Sequence, residues 1–135
     1  MWAFLSRNRD AGLLLLRLGL GGFFIWVHGW AKLAGGVAEW KDIGGAMEHV
    51  GITFWPVMWG FLATLAETLG ALLVVIGLFF RPACLVLTIT MTIAAITSFS
   101  NKGGSLVGAS HAIEMGIVFF SLIFIGAGKY SVDRD

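Results

Sequence analysis

The sequence predicts an all-α protein: a four-helix transmembrane bundle with a short amphipathic segment in the first extracytoplasmic loop. Three observations predict it. Of 135 residues, 58% are hydrophobic and only 13% charged, with a mean hydropathy of +0.88, whereas soluble domains are about half apolar and a quarter charged. The apolar excess is gathered in four long blocks, and about 18 or more such residues in a row suffice to cross a bilayer. In lipid only helices and closed barrels satisfy the backbone, and these blocks are too long and evenly apolar for alternating barrel strands.

One membrane domain is expected over residues 1–135. Its first helix is expected over residues 11–33. Arg7 and Arg9 ahead of an apolar run resemble a signal peptide. However, Arg17 interrupts the run, which is long enough to span, so an uncleaved helix is expected. The sizeable loop, residues 35–56, places Trp40, Ile43, Met47 and Val50 at helical spacing against polar Glu39, Lys41, Glu48 and His49. That pattern predicts a short amphipathic helix lying in the interface, the alternative being an irregular loop with scattered anchors, for which Gly44 and Gly45 argue. Helices two and three are expected over 57–79 and 82–99, with Pro82 at a first helical position, where proline is tolerated. The short link between them makes them antiparallel neighbours. A polar turn, "SNKGGS" (100–105), leads to helix four over 106–127.

A net charge of +1 implies no basic surface for nucleic acid. The single cysteine, Cys84, excludes an intrachain disulfide, a CxxC pair and a cysteine-ligated cluster. Basic residues set orientation: Arg7, Arg9, Arg81, Lys129 and Arg134 gather on one side, Lys32, Lys41 and Lys102 on the other. Five against three places both termini in the cytoplasm. Trp26, Trp30, Trp40, Trp55 and Trp59 then fall toward the outer interface, which indoles favour.

Five ionisable residues fall inside the apolar blocks: Arg17, His28, Glu67, His111 and Glu114. An intramembrane charge is costly, so it normally faces the bundle interior and has a partner. Arg17 lies roughly 9 Å, and Glu67 roughly 18 Å, from the inner ends of their helices, within an arginine's reach of each other. An Arg17–Glu67 pair is therefore expected, with Thr64, Thr68, Thr88 and Thr92 lining the same space; the alternative is that Arg17 snorkels to the inner surface and leaves Glu67 neutral. Such a pair can fix helix registry, or form a hydrogen-bonding site for a polar head group. His28, His111 and Glu114 share a depth nearer the outer end, with His111 and Glu114 one turn apart. Two histidines and a carboxylate can hold a metal, and two histidines a haem, but these dispersed positions carry no ligand spacing, and no metal is assigned. A polar cavity edged by the three, where a histidine hydrogen-bonds a quinone carbonyl or relays a proton, is the preferred chemical reading. Gly12, Gly19, Ala66, Gly70 and Gly77 supply small faces for close helix approach.

Three stretches together resemble the DoxX family of small bacterial membrane proteins: "LLLLRLGLGGFFIWVHGWAKL" (13–33), "LAETLGALLVVIGLFFRPACLVL" (65–87) and the closing "GAGKYSVDRD" (126–135). Arg17, Gly29, Lys32, Glu67, Arg81, Tyr130, Ser131 and Asp133 occupy the places of that family's pattern, whereas "HAIEMG" in helix four matches no part of it. The resemblance implies a four-helix inner-membrane protein. The family name derives from a thiosulfate:quinone oxidoreductase, and other members look like membrane partners of peripheral thiol or superoxide enzymes. Fold-level analogy alone transfers no activity.

Two functions are carried forward. One is a quinone-interacting membrane subunit of an oxidoreductase system, with no covalently bound cofactor and with a quinone as the implied ligand. The other is a non-enzymatic scaffold or accessory subunit of a larger complex. Either implies the lipid bilayer, further membrane or peripheral subunits, or a homo-oligomer as partners. A transporter is disfavoured because the helices show no internal repeat.

Overall fold

The computed structural model describes residues 1–101 and 103–134. Among them are four helical spans apolar enough to cross a membrane and no strand. After a short α1 (Trp2–Arg7), the first span is built from α2 (Arg9–Phe24), a π turn (Ile25–Gly29) and the start of α3 (Trp30–Gly45). The second joins α4 (Pro56–Leu65), a second π turn (Ala66–Gly70) and α5 (Ala71–Ile76). The third and fourth are α6 (Phe80–Asn101) and α7 (Leu106–Ile125). The chain is a four-helix transmembrane bundle.

The core is thin, as expected for helices whose outer faces meet lipid rather than water. Phe24, Val74, Phe80, Cys84, Leu87, Phe119 and Leu122 are buried together, while Leu15, Phe23, Trp26, Leu72, Ile89 and Phe124 face outward. Cys84 is a free thiol in this core. Ser105 caps α7 by accepting a hydrogen bond from the Gly108 N–H at 3.3 Å.

The expected amphipathic segment exists, but it does not lie alone in the interface. Inside α3 the helix breaks at Gly36, whose φ of 71° and ψ of −159° only glycine adopts without strain. The chain then turns and runs helically to Gly45, continuing as a 3₁₀ turn (Ala46–Val50). This returning segment packs backbone to backbone on α4. A Cβ added to Gly60 would sit 1.5 Å from the Trp40 carbonyl oxygen, and one on Gly44 1.5 Å from that of Pro56. Gly44, which as a helix breaker argued against a helix here, is thus what lets the helix dock.

Two other expectations need correction. The link between helices two and three is not residues 80 and 81. α5 stops at Gly77, which is left-handed, and α6 already starts at Phe80, so Pro82 sits inside its first turn. Nor do Gly12 and Gly19 make close contacts, since nothing lies near either; Gly21, against Ala71 and Val75, does so instead. Lys102, assigned to the outer basic set, lies outside the described residues.

Candidate functional site

Arg17 and Glu67 are both buried, at 1% and 3% exposure, yet they do not meet. Arg17 turns toward the inner end of the bundle. Its Nε donates to the Val74 carbonyl at 2.9 Å and its Nη2 to that of Val75 at 2.7 Å. Nη1 donates to the carbonyls of Ala127 at 3.1 Å and Tyr130 at 2.8 Å. The physical reason is local demand. The last carbonyls of a helix lack intrahelical donors, and a cation is favoured at that end. The five N–H groups of a guanidinium can serve several carbonyls at once. The closing segment completes the joint: Asp133 accepts from the N–H groups of Phe79 (3.1 Å) and Phe80 (2.8 Å), capping α6 from a distant part of the chain. Arg17 is a staple that fastens the C-terminal segment to the second span.

Glu67 instead takes Lys32, whose Nζ lies 2.6 Å from Glu67 Oε2. Two π turns bring them together. A π turn inserts an extra residue and re-aims the side chains beyond it, and such turns recur at functional sites. Ile25–Gly29 and Ala66–Gly70 face one another, and a Cβ on Gly29 would lie 2.7 Å from Thr68 Oγ1. Close approach at that glycine puts Lys32, one turn further on, beside Glu67. The break at Gly36 frees the Lys32 carbonyl, which accepts the Trp40 indole N–H at 3.0 Å and so anchors the returning segment over the ion pair.

A cavity of about 480 Å³ opens between that segment, α4 and α6, with Lys32 and Glu67 in its wall. Ile43, Met47, Leu62, Ile89 and Ile93 make most of the rest apolar. Leu62, Val86 and Ile89 are exposed on the outer surface of the bundle, so the cavity is reached from the lipid side. Two lining residues, Trp59 and Thr97, hold enclosed polar atoms, Nε1 and Oγ1, that have no hydrogen-bond partner among the described residues. Asp42, Ala46 and Thr97 also border a second, more polar cavity of about 440 Å³, lined further by Lys41, Glu48, His49 and Asn101. The ion pair thus sits in a lipid-accessible chamber with a polar vestibule beside it.

The remaining expected residues divide. His28 and His111 do come together, their rings stacked with centroids 5.1 Å apart, and His28 also packs on Phe24. Neither histidine lines the cavity around Lys32 and Glu67. Glu114 does not join the histidines; it is exposed on α7. Thr64, Thr68, Thr88 and Thr92 each donate to the carbonyl four residues earlier in their own helix, so they do not form the shared interior expected of them. Lys32, Trp59 and Thr97 were missed. Lys32 stands four residues after His28 at the edge of an apolar block, where a lysine reads as an interface anchor.

A family model, DoxX, matches residues 12–100. The chain belongs to the DoxX family. No curated protein and no solved structure matches it. The DoxX match takes in Arg17, His28, Lys32 and Glu67, and with them the first three spans and the whole cavity; α7, with His111 and Glu114, and the stapled closing segment lie beyond it.

Proposed function

We propose that this DoxX protein binds a quinone in the cavity beside Lys32 and Glu67, and serves as a quinone-interacting membrane subunit of an oxidoreductase system. The observation that carries this reading is the buried ion pair opening on a lipid-accessible apolar chamber. A molecule with a greasy body and a hydrogen-bonding head fits that chemistry. Ligand pockets of this kind are mostly apolar, with a few convergent polar groups.

The residues have separable roles. The Lys32 ammonium donates to a head-group oxygen and holds a positive charge where negative charge would develop. Glu67 keeps that ammonium in place, and its carboxylate can accept a proton from a bound hydroxyl. Leu62 and Ile89 face the lipid where the tail would leave. A bound quinone supplies two-electron redox chemistry; the partner that exchanges electrons with it is another subunit. The site lies in the bacterial inner membrane with both termini cytoplasmic. Drawing Lys32 into the bundle leaves only Lys41 and Lys102 in the outer set, which sharpens the basic bias.

The test is quinone titration of the protein in lipid nanodiscs, read by quenching of tryptophan fluorescence. Loss of one charge-assisted hydrogen bond in Lys32→Met should weaken binding about 10- to 100-fold. His28→Phe, outside the cavity wall, should leave it unchanged. Equal affinity in wild type and Lys32→Met, or no binding by either, would sink the proposal. For orientation, an alkaline-phosphatase reporter fused after Arg134 should be inactive, and an active one would reverse the topology.

A further inference from the structure

α7 carries a second intramembrane carboxyl that the bundle does not use. Glu114 is the ninth residue of α7, roughly 12 Å along the helix from its start, and so deep in the membrane. Ala109, Ala112, Phe119 and Leu122 turn α7's buried face inward. Glu114 projects from the opposite face and is exposed, and among the described residues no hydrogen bond or ion pair reaches it. A carboxyl facing hydrocarbon in this way is expensive, whether ionised or neutral, and intramembrane acidic residues normally have a partner.

The residues around it have the spacing of a helix–helix seam. Val107, Ser110, Glu114, Ile117, Ser121 and Phe124 recur at alternating steps of three and four along the outward face, the pattern by which one helix packs along another. Val107, Ile117 and Phe124 are 85%, 61% and 71% exposed. Ser110 and Ser121 are small, and their hydroxyl protons are already spent on Val107 and Ile117 carbonyls, so both permit close approach without leaving a donor unpaired.

We propose that a second copy of this chain docks on this seam, with the two Glu114 side chains meeting across the two-fold axis. Copies inserted in the same sense hold their α7 helices parallel, so a two-fold axis along the membrane normal places the same residue of each at one depth. The occupant must offer a hydrogen-bonding group at the depth of Glu114, and a second copy does so by symmetry. A protonated carboxyl has one O–H donor and one carbonyl acceptor, so two of them satisfy each other reciprocally. A single polar residue in such a seam also fixes its register. The interface is separate from the Lys32–Glu67 cavity, which lies between the first three spans, and does not depend on what that cavity binds.

Cysteine cross-linking in native membranes tests this. In a Cys84→Ser background, Ile117→Cys should form a disulfide-linked dimer under mild oxidation, whereas Leu72→Cys, on the lipid face of α5, should not. Adding Glu114→Gln should preserve the dimer, because an amide also pairs with itself. Adding Glu114→Leu should lower the cross-linked fraction about 5- to 20-fold in dilute lipid. The proposal is overturned by cross-linking at Ile117 no greater than at Leu72. It is overturned equally by a dimer indifferent to Glu114→Leu, or by a cross-linked product with the mass of a different protein.

Discussion

Consider the Lys32–Glu67 pair as a double-mutant cycle. At 2.6 Å the gross attraction is about 6 kcal/mol at an effective dielectric of about 20. Most of it is offset. Glu67 is 3% exposed and loses its hydration on folding, which costs several kcal/mol. The Lys32 side chain keeps 28% exposure, so its charge is partly screened. Removing the lysine alone therefore strands a carboxyl in a nearly dry site. Breaking a buried pair from one side costs about 3–5 kcal/mol in general, so Lys32→Met should cost about 3 kcal/mol. Glu67→Gln should cost less, about 1 kcal/mol, because the freed ammonium can still find water.

The double variant should then be more stable than the two single losses predict, by about 1–2 kcal/mol of coupling. The assay is reversible unfolding in mixed micelles, followed by helical circular dichroism across a titration of denaturing detergent. Additivity to within about 0.5 kcal/mol would refute the reasoning. It would mean that the two groups stand close without depending on each other.

Three other outcomes follow from the geometry. Arg17→Met leaves four carbonyls without their donor, and should release the closing segment, so that trypsin cuts after Lys129 much faster than in wild type; Arg17→Lys should rescue only part, because an ammonium cannot reproduce the flat guanidinium fork. An unchanged cutting rate would remove Arg17 from its role as a staple. Gly60→Ala should cost about 3 kcal/mol or more, since its methyl would overlap the Trp40 carbonyl, whereas Gly12→Ala, with nothing nearby, should be neutral; the same detergent titration reads both. Asp133→Ala removes the cap on α6 and should cost about 0.5–2 kcal/mol, while Asp10→Ala, whose carboxylate accepts only the Lys129 N–H, should cost less.

The four spans were legible because lipid imposes one demand, an unbroken apolar stretch with its backbone bonds closed, and composition reports that demand directly. The π turns were not. They shift the register of everything beyond them by one residue, and no residue type announces them. They bring Lys32 to Glu67, whereas Arg17, which precedes the first π turn, is drawn instead to the free carbonyls at the end of α5. The docked segment after Gly36 was half legible. Its apolar spacing was plain, but Gly44 and Gly45 argue against a helix until the Pro56 carbonyl that Gly44 accommodates is known.

The two buried charges divide the bundle into halves with different work. In the inner half, every hydrogen bond made by Arg17 ends on a backbone carbonyl, and Asp133 returns the favour to two backbone N–H groups. Those interactions are satisfied locally and enclosed by Phe80, Val74 and Ala127, so the guanidinium is committed to holding the scaffold together. The outer half is built on opposite terms. Its charge pair is salt-bridged rather than caged by backbone, and one partner keeps access to the cavity. A structural feature of a membrane bundle needs its polar groups closed; a binding site needs some of them open. By that criterion Arg17, the residue that first looks chemical in the sequence, belongs to the scaffold, and Lys32, which looks like an interface anchor, belongs to the proposed site.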